Sequence, residues 1–369
     1  MSGAMANGDQ NRLAESRRRQ VVAAIERSQG MAITELADLF SVSPATIRRD
    51  INLLHLEGRI QRVHGGAVPA VTASSHRNVG AAFTLGMVAP SLGSYWAEIA
   101  FSAQAHAVEL GQQFVLRSCS DPNNDYLATT RAMVAEHRLD GLLLAPPPVP
   151  SMGPAVRDWV HEVSPRTVFV ERGVDHRLTH VSSVRSDQGQ GAALAVQHLS
   201  GLGHRRVALL MPLRMPHRDE IAAAWRQVVD DLGLADVAAP ESFHAWEREG
   251  GTSAAEPVVT ALRDEGVTAV LMASDSQAWA MLQAAQRMGI RVPHDLSVVG
   301  YDDDVAANAA PPLTSVRQPR DVVGRMAVRL LVETLRRGEA QPVQHIRLNC
   351  RLVIRQSTGP GPGAPRQVG

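Results

Sequence analysis

Between Phe83 and Tyr301 the sequence repeats one unit at intervals of about thirty residues: a short apolar run, a turn, and an amphipathic helical stretch. The runs are "TLGMVAP", "QQFVLRS", "DGLLLAP", "RTVFVER", "RRVALLMP", "TAVLMAS" and "LSVVGYD". Near-continuous apolar character fits strands covered on both faces, and helices predicted at 97–110, 125–137, 188–201, 218–232, 276–288 and 321–337 would cover them. The pattern predicts an α/β fold of doubly wound parallel sheets. Such sheets gather ligands at the C-terminal ends of their strands, so the segments that follow each run are the candidate site.

The chain has 369 residues, 44% of them hydrophobic, enough for two or three domains. Its 37 basic and 37 acidic residues cancel, so a nucleic-acid site would have to be a local patch. Every basic residue is arginine. That removes a P-loop lysine and all Schiff-base chemistry. Cys119 and Cys350 stand far apart and suit a reducing compartment better than a disulfide or a four-ligand zinc site. His198 and His204 lack a third metal ligand at useful spacing, and "GLG" at 201–203 follows a helix instead of a strand, which excludes a dinucleotide fingerprint. The expectation is a cytoplasmic protein without membrane partner, metal or cofactor, since the first twenty residues lack the apolar core of a signal segment.

Residues 1–11 and the Pro/Gly-rich tail 358–369 are predicted to be disordered. The stretch 69–82 lacks a sustained apolar period and is predicted to link a small unit at 12–68 to a large one at 83–357. In the small unit, Val21, Val22 and Ile25 recur at helical spacing up to Gly30, and Thr34 is the expected cap of a second helix carrying Leu36, Ala37 and Phe40. A third helix is predicted to start at Pro44 behind an N-cap at Ser43. On it Ile47, Ile51 and Leu54 share a stripe, whereas Arg48 and Arg49 point away together. Asp50 flanks the stripe and is expected to pair with an arginine instead of meeting DNA, which would repel it. "RIQRVHGGAV" then alternates about a Gly-Gly turn as a β-hairpin wing would. Two short helices, a turn, a third helix with a polar face and a wing make a winged helix-turn-helix.

The stretch from "RRRQVVAAIERSQG" through "SVSPATIRRDINLLHLEGRIQRVHGGAV" resembles the DNA-binding domain of DeoR-type bacterial regulators along its whole length. The resemblance implies DNA contacts from Ser43, Thr46, Arg48 and Arg49, with Arg59, Arg62 and His64 on or beside the wing. The large unit has a different likeness. "LGMVAPSLGSYWAEIA", "RLDGLLLAP", "VFVERGV", "VQHLSGLGHRRVALL", "GIRVPHDLSVVGYDDDVAANAAPPLTSVRQPRDVVGRMAVRLL" and "RLVIRQST" together resemble the sugar-binding core of LacI-type regulators and periplasmic sugar-binding proteins.

That second resemblance implies two lobes crossed three times by the chain, one at about 83–182 and 316–340, the other at about 184–314 and 343–357, with a ligand between them. It places Tyr95 and Trp96 where an aromatic pair stacks on the ligand, Glu171 and Arg172 where an acid and an arginine grip hydroxyls, and Trp246 where an aromatic closes the far side. Ser274, Asp302 and Gln318 complete the implied ligand set. In "HRDEIAAAW" an expected arginine is Ile221, and Ser274 replaces a commoner asparagine. Aromatic faces covering a sugar ring, with charged groups at its hydroxyls, make chemical sense of this set.

The functional expectation is a non-enzymatic transcription regulator, a repressor, that binds double-stranded operator DNA as a homodimer under control of a carbohydrate effector. A sugar-binding protein without a regulatory role is the alternative. No nucleophile elbow, metal cluster or lysine supports catalysis.

Overall fold

The computed structural model describes residues 17–25, 28, 30–56, 60–63, 66–69, 82–119, 126–147, 153–163, 166–174, 178–212, 215–249, 255–337 and 342–362. Most of the expected linker, Arg59 and His64 lie outside these residues. The chain separates into a small N-terminal unit and a large one.

In the small unit residues 17–25 are helical (α1), followed by β1 (Met31–Ala32), α2 (Ile33–Leu39), α3 (Pro44–Leu56), β2 (Ile60–Val63) and β3 (Gly66–Pro69). The strands form an antiparallel sheet in the order β1-β3-β2. Val21 and Ile25 of α1, Leu36 of α2, and Ile47, Ile51 and Leu54 of α3 meet in one core with Ile60 and Ala67 of the wing. The stripe expected on the third helix is thus its buried face. Short β1 carries no sequence signal of its own. It can lie against β3 because residue 66 is glycine; a Cβ there would sit 2.3 Å from the Met31 carbonyl oxygen. Thr34, the expected cap of α2, lies inside the helix instead. The Glu35 carboxylate reaches back to accept from the Ala32 N–H at 2.9 Å and satisfies the helix start from within.

The large unit contains two six-stranded sheets. The first is built by β4 (Thr84–Ala89), α4 (Ser94–Glu109), β5 (Gln113–Ser118), α5 (Tyr126–His137), β6 (Gly141–Leu144), α6 (Pro154–Val163), β7 (Thr167–Val170) and β8 (Ser182–Asp187). The second is built by α7 (Gln188–Gly201), β9 (Arg206–Leu210), α8 (Arg218–Asp231), β10 (Ala235–Val237), α9 (Glu241–Glu249), α10 (Glu256–Asp264), β11 (Ala269–Met272), α11 (Asp275–Arg287), β12 (Ser297–Tyr301) and β13 (Thr314–Arg317). The chain then returns through α12 (Arg320–Arg337), which packs on β6, β7 and β8, to β14 (His345–Asn349) and β15 (Arg351–Val353). Strand orders are β14-β8-β7-β6-β4-β5 and β10-β9-β11-β12-β13-β15. Every pairing within these sheets is parallel except β13 with β15.

All seven apolar runs are strands. Three lobe assignments differ from expectation: residues 184–187, placed in the second lobe, belong to β8 of the first sheet. Residues 345–349, placed in the second lobe, add β14 to the edge of the first sheet beside β8, and 316–317, placed in the first lobe, end β13 of the second sheet. The reason is geometric: the chain leaves the first sheet at Asp187, returns after Arg317 and leaves again at Cys350, so its last two strands divide between the sheets. Side chains tie these crossings together. The Cys350 N–H donates to Gln190 Oε1 at 2.8 Å and its thiol to the Asp187 carbonyl at 3.3 Å, and burial raises the thiol pKa.

The tail is also corrected. Residues 358–362, expected to be disordered with the rest of the C-terminus, lie on the second lobe. Buried Ser357 accepts from the Thr314 N–H at 2.8 Å and donates to the Val298 carbonyl at 2.6 Å. His198 Nε2 meets Thr358 Oγ1 at 3.0 Å, His204 Nε2 meets the Gly359 carbonyl at 3.1 Å, and the Gly361 N–H donates to the Leu202 carbonyl at 2.7 Å. Pro and Gly composition hid this because the anchoring partners are distant in sequence. Ser357→Ala leaves a buried amide and carbonyl short of a partner, so urea unfolding should show a loss of about 1–3 kcal/mol.

Candidate functional site

The small unit presents the N-terminal half of α3. The Thr46 N–H donates to Ser43 Oγ at 3.1 Å, and the two hydroxyls are 2.8 Å apart, so Ser43 caps the helix as expected. Arg48 and Arg49 are exposed, on the side opposite Ile47 and Ile51. Buried Asp50 accepts from Arg17 Nε at 2.7 Å, so its charge is satisfied within the fold. Arg62 is on β2, and its side chain lies outside the described residues.

In the large unit a cavity of ≈ 280 Å³ opens at the C-terminal ends of strands from both sheets. It is lined by Tyr95, Trp96, Arg172, Gln188, Pro212, Met215, Pro216, His217, Ala273 and Asp302. Four expected residues, Tyr95, Trp96, Arg172 and Asp302, therefore meet in one place. Tyr95 and Trp96 come from the first turn of α4, with ring centroids 5.7 Å apart and edge to face. The Arg172 guanidinium lies 5.4 Å from the Trp96 ring centroid; its Nε donates to the Pro146 carbonyl at 2.6 Å and its Nη1 to the Glu171 carbonyl at 2.8 Å. Burial lowers its pKa, with Tyr126, Glu171 and Tyr95 opposing that shift.

Glu171 and Gln318 are supporting residues outside the lining. Glu171 is fully buried and accepts from Ser186 Oγ at 2.6 Å and the Ser186 N–H at 3.2 Å. Desolvation raises its pKa against those bonds. Gln318 Nε2 donates to Asp302 Oδ1 at 3.0 Å. Asp302 occupies a left-handed backbone conformation at φ +97°, and desolvation pushes its carboxyl up to about 6. The neighbouring carboxylates have other work: Asp303 pairs with Arg355 at 2.7 Å, and Asp304 accepts from Ser94 and pairs with Arg320.

Two implied ligand residues are not at the cavity. Trp246 belongs to the core of the second lobe, edge-on to Phe243 at 6.0 Å, because both lie on the inner face of amphipathic α9. Ser274 stands just before α11 with its hydroxyl 2.8 Å from that of Ser276, and Ala273 takes the place in the lining. Ile221 is a fully buried core residue, and Arg218 is committed to the Met211 and Pro212 carbonyls. The sequence reading missed Gln188, His217 and the apolar edge of Pro212, Met215 and Pro216. The first two could have been found by the strand-end rule, since Gln188 directly follows β8 and His217 precedes α8. Burial, then the charges of Arg172 and Arg185, lowers the His217 pKa to about 3, so this imidazole is neutral.

Side chains from the two lobes bridge both flanks of the cavity. On one flank Ser94 of α4 donates to Asp304, Glu98 pairs with Arg317 at 3.4 Å, and Arg320 of α12 pairs with Asp304 at 3.4 Å. On the other, Arg185 of β8 forms a half-buried pair with Glu220 of α8, and Arg347 of β14 approaches Glu220 at 3.9 Å.

Comparison with known proteins gives two family matches. Residues 17–72 match the DeoR-like helix-turn-helix domain, and residues 196–358 match the periplasmic binding protein-like domain. The HTH-type transcriptional regulator CelR of Thermobifida fusca is 31% identical over 278 residues, 71% of this chain and 76% of that protein. The chain belongs to the LacI family of HTH-type transcriptional regulators. The regulator MalR of Streptomyces coelicolor is 38% identical over 186 residues, 49% of this chain, and that match spans about half of MalR, 53% of its length. Among solved structures, a CelR–cellobiose complex gives a TM-score of 0.60 at 26% identity, over 86% of this chain and 91% of that one. The lac repressor dimer bound to operator, at 23% identity and a TM-score of 0.60, shares the fold. For a family member the N-terminal unit is the notable part, because it matches a DeoR-like domain.

Asp302 makes the site pH-sensitive. Its folded pKa lies above the ordinary carboxylate value, so the folded state holds its proton more tightly and loses stability as pH rises from about 4 through 6. Melting temperatures measured between pH 4.5 and 7.5 should fall less across that interval in Asp302→Asn than in the wild type. An unchanged slope would contradict the assignment.

Proposed function

We propose that the protein is a sequence-specific DNA-binding transcriptional regulator, a repressor in the cytoplasm, whose affinity for operator DNA is set by a small carbohydrate held between the two lobes. The single observation that carries this reading is the joining of a winged helix, with exposed Arg48 and Arg49 on a capped helix, to a two-lobed unit whose cavity lies at the strand ends. The relatives' names support it, since CelR, MalR and PurR are HTH-type regulators or repressors. Ser43, Thr46, Arg48 and Arg49 are the proposed DNA contacts, with Arg59, Arg62 and His64 at the wing. Arginine serves well here because its planar fork grips phosphate and base edges bidentately. Tyr95, Trp96, Arg172 and Asp302 are the proposed ligand contacts, and Glu171 and Gln318 hold them in place. A homodimer is the proposed assembly, because one winged helix offers few base contacts and paired half-sites multiply them.

Fluorescence anisotropy with the duplex upstream of the protein's own gene tests the DNA arm. Wild-type protein should prefer that duplex to random sequence, with affinity falling steeply as salt rises. Arg48→Ala with Arg49→Ala should lower affinity by roughly tenfold or more and reduce the salt slope by about one for each phosphate that is no longer neutralised. Binding that is equally tight to random duplex would refute sequence specificity.

A further inference from the structure

Given a DNA-binding regulator, on which this inference rests, we propose that α3 reads three base pairs of each half-site, with Ala45 on a thymine methyl, Arg49 on a guanine and Asn52 on an adenine, while Arg48 holds the phosphate backbone beside them.

The direction of each side chain follows from what the helix buries. Ile47, Ile51 and Leu54 are fully buried and Asp50 is 4% exposed, so the mean direction of these four points into the core. At about 100° per residue, Ala45 falls roughly 10° from the opposite direction, and Arg49 and Asn52 roughly 30° from it, one on each side. All three are exposed. Arg48 lies about 70° off the same line, and Thr46 about 90° off on the other flank. The two arginines therefore differ: Arg49 leaves the helix near the centre of its outward face, and Arg48 leaves from the side.

A major groove turns those directions into roles. A groove about 12 Å wide takes one helix, whose central line meets base edges on the floor and whose flanks meet the phosphate walls. From Ala45 to Asn52 the helix rises about 10 Å at ~1.5 Å per residue, or three base steps of ~3.4 Å. An alanine methyl packs on the thymine methyl, an arginine fork bonds O6 and N7 of guanine, and an asparagine amide bonds N6 and N7 of adenine. Arg48 meets one wall, and the hydroxyls of Ser43 and Thr46, 2.8 Å apart, meet the other. Charge agrees. Asp50 is the helix's one carboxylate, and it turns inward onto Arg17 at 2.7 Å, so no negative group of α3 faces the phosphates.

The test starts with the wild-type full chain selecting duplexes from a randomised pool. The selected half-site should place a T·A, a G·C and an A·T pair in that order within about four base pairs. In anisotropy titrations on that duplex, deoxyuridine for the thymine, which removes only the methyl, should weaken binding about fourfold. Placing 7-deazaguanine at the guanine should weaken it roughly tenfold. Ala45→Gly should make the protein indifferent to the first change and Arg49→Ala to the second, and selection with Asn52→Ala should lose the adenine. Arg48→Ala should select the same sequence, bind every duplex more weakly and lower the salt slope by about one. Wild-type affinity unmoved by both base changes overturns the assignment whether or not the variants fold, as does loss of the guanine from the sequence selected by Arg48→Ala. A selected sequence that ignores these changes leaves the regulator standing with other base contacts, whereas a pool from which wild-type protein selects nothing removes the regulator too.

Discussion

A buried carboxylate sets the position of one wall of the cavity between the lobes. Asp275, at the start of α11 and 2% exposed, accepts from Ser315 Oγ at 2.7 Å through one oxygen and from the Asp304 N–H at 2.7 Å through the other. Those two bonds join α11, β13 and the loop after β12. The loop needs holding, because Asp302 and Asp303 are non-glycine residues at φ +97° and +51°, a conformation that costs about 1–3 kcal/mol each unless its surroundings enforce it. Gly300 is part of the same device. A Cβ there would stand 2.2 Å from Asp275 Oδ1, so only glycine leaves the carboxylate its place. Burial raises the Asp275 pKa while the bonds from Ser315 and Asp304 oppose the rise. An aspartate outside the cavity thereby aims one that lines it.

A similar double use of residues governs the junction of the lobes. The chain passes between sheets at three polar segments, and two of them also serve the cavity. Gln188 lines the cavity, Gln318 steadies Asp302, and Cys350 ties the last passage to the first through Asp187 and Gln190. At Gly191 a Cβ would press on Tyr301 Oη at 2.7 Å and Val316 at 2.8 Å, so the passages pack with no room for a side chain. A change in the separation of the lobes must act through these segments, which places the cavity and the crossings in direct contact.

The sequence showed the sheets through their buried strands, where every residue is apolar and a short run has one reading. It hid β8 and β13, "SSVRSD" and "TSVR", because their polar residues are satisfied by neighbours far along the chain; Thr314 binds Thr358, and Ser315 binds Asp275. Helices α6, α9 and α10 went unread for a related reason, since their apolar faces become distinct only once the sheets they cover are known. At the cleft, the LacI-type resemblance singled out Tyr95, Trp96, Arg172 and Asp302, which the structure gathers around one cavity, and Trp246, which it buries in the core of the second lobe. A tryptophan in a polar stretch can present either face of a helix, and Phe243 three residues earlier turns this one inward. The small unit was the most legible part, because cap, stripe and turn are local signals.

The division of the final strands has a consequence for how the protein is made. β14 completes one sheet and β15 the other, both from residues 345–353, and Ser357 to Gly361 then fasten onto the second lobe. During synthesis neither lobe can finish its sheet while those residues are still inside the ribosome, although the N-terminal unit is already outside with all its core residues. The N-terminal unit can therefore fold long before the large unit that follows it.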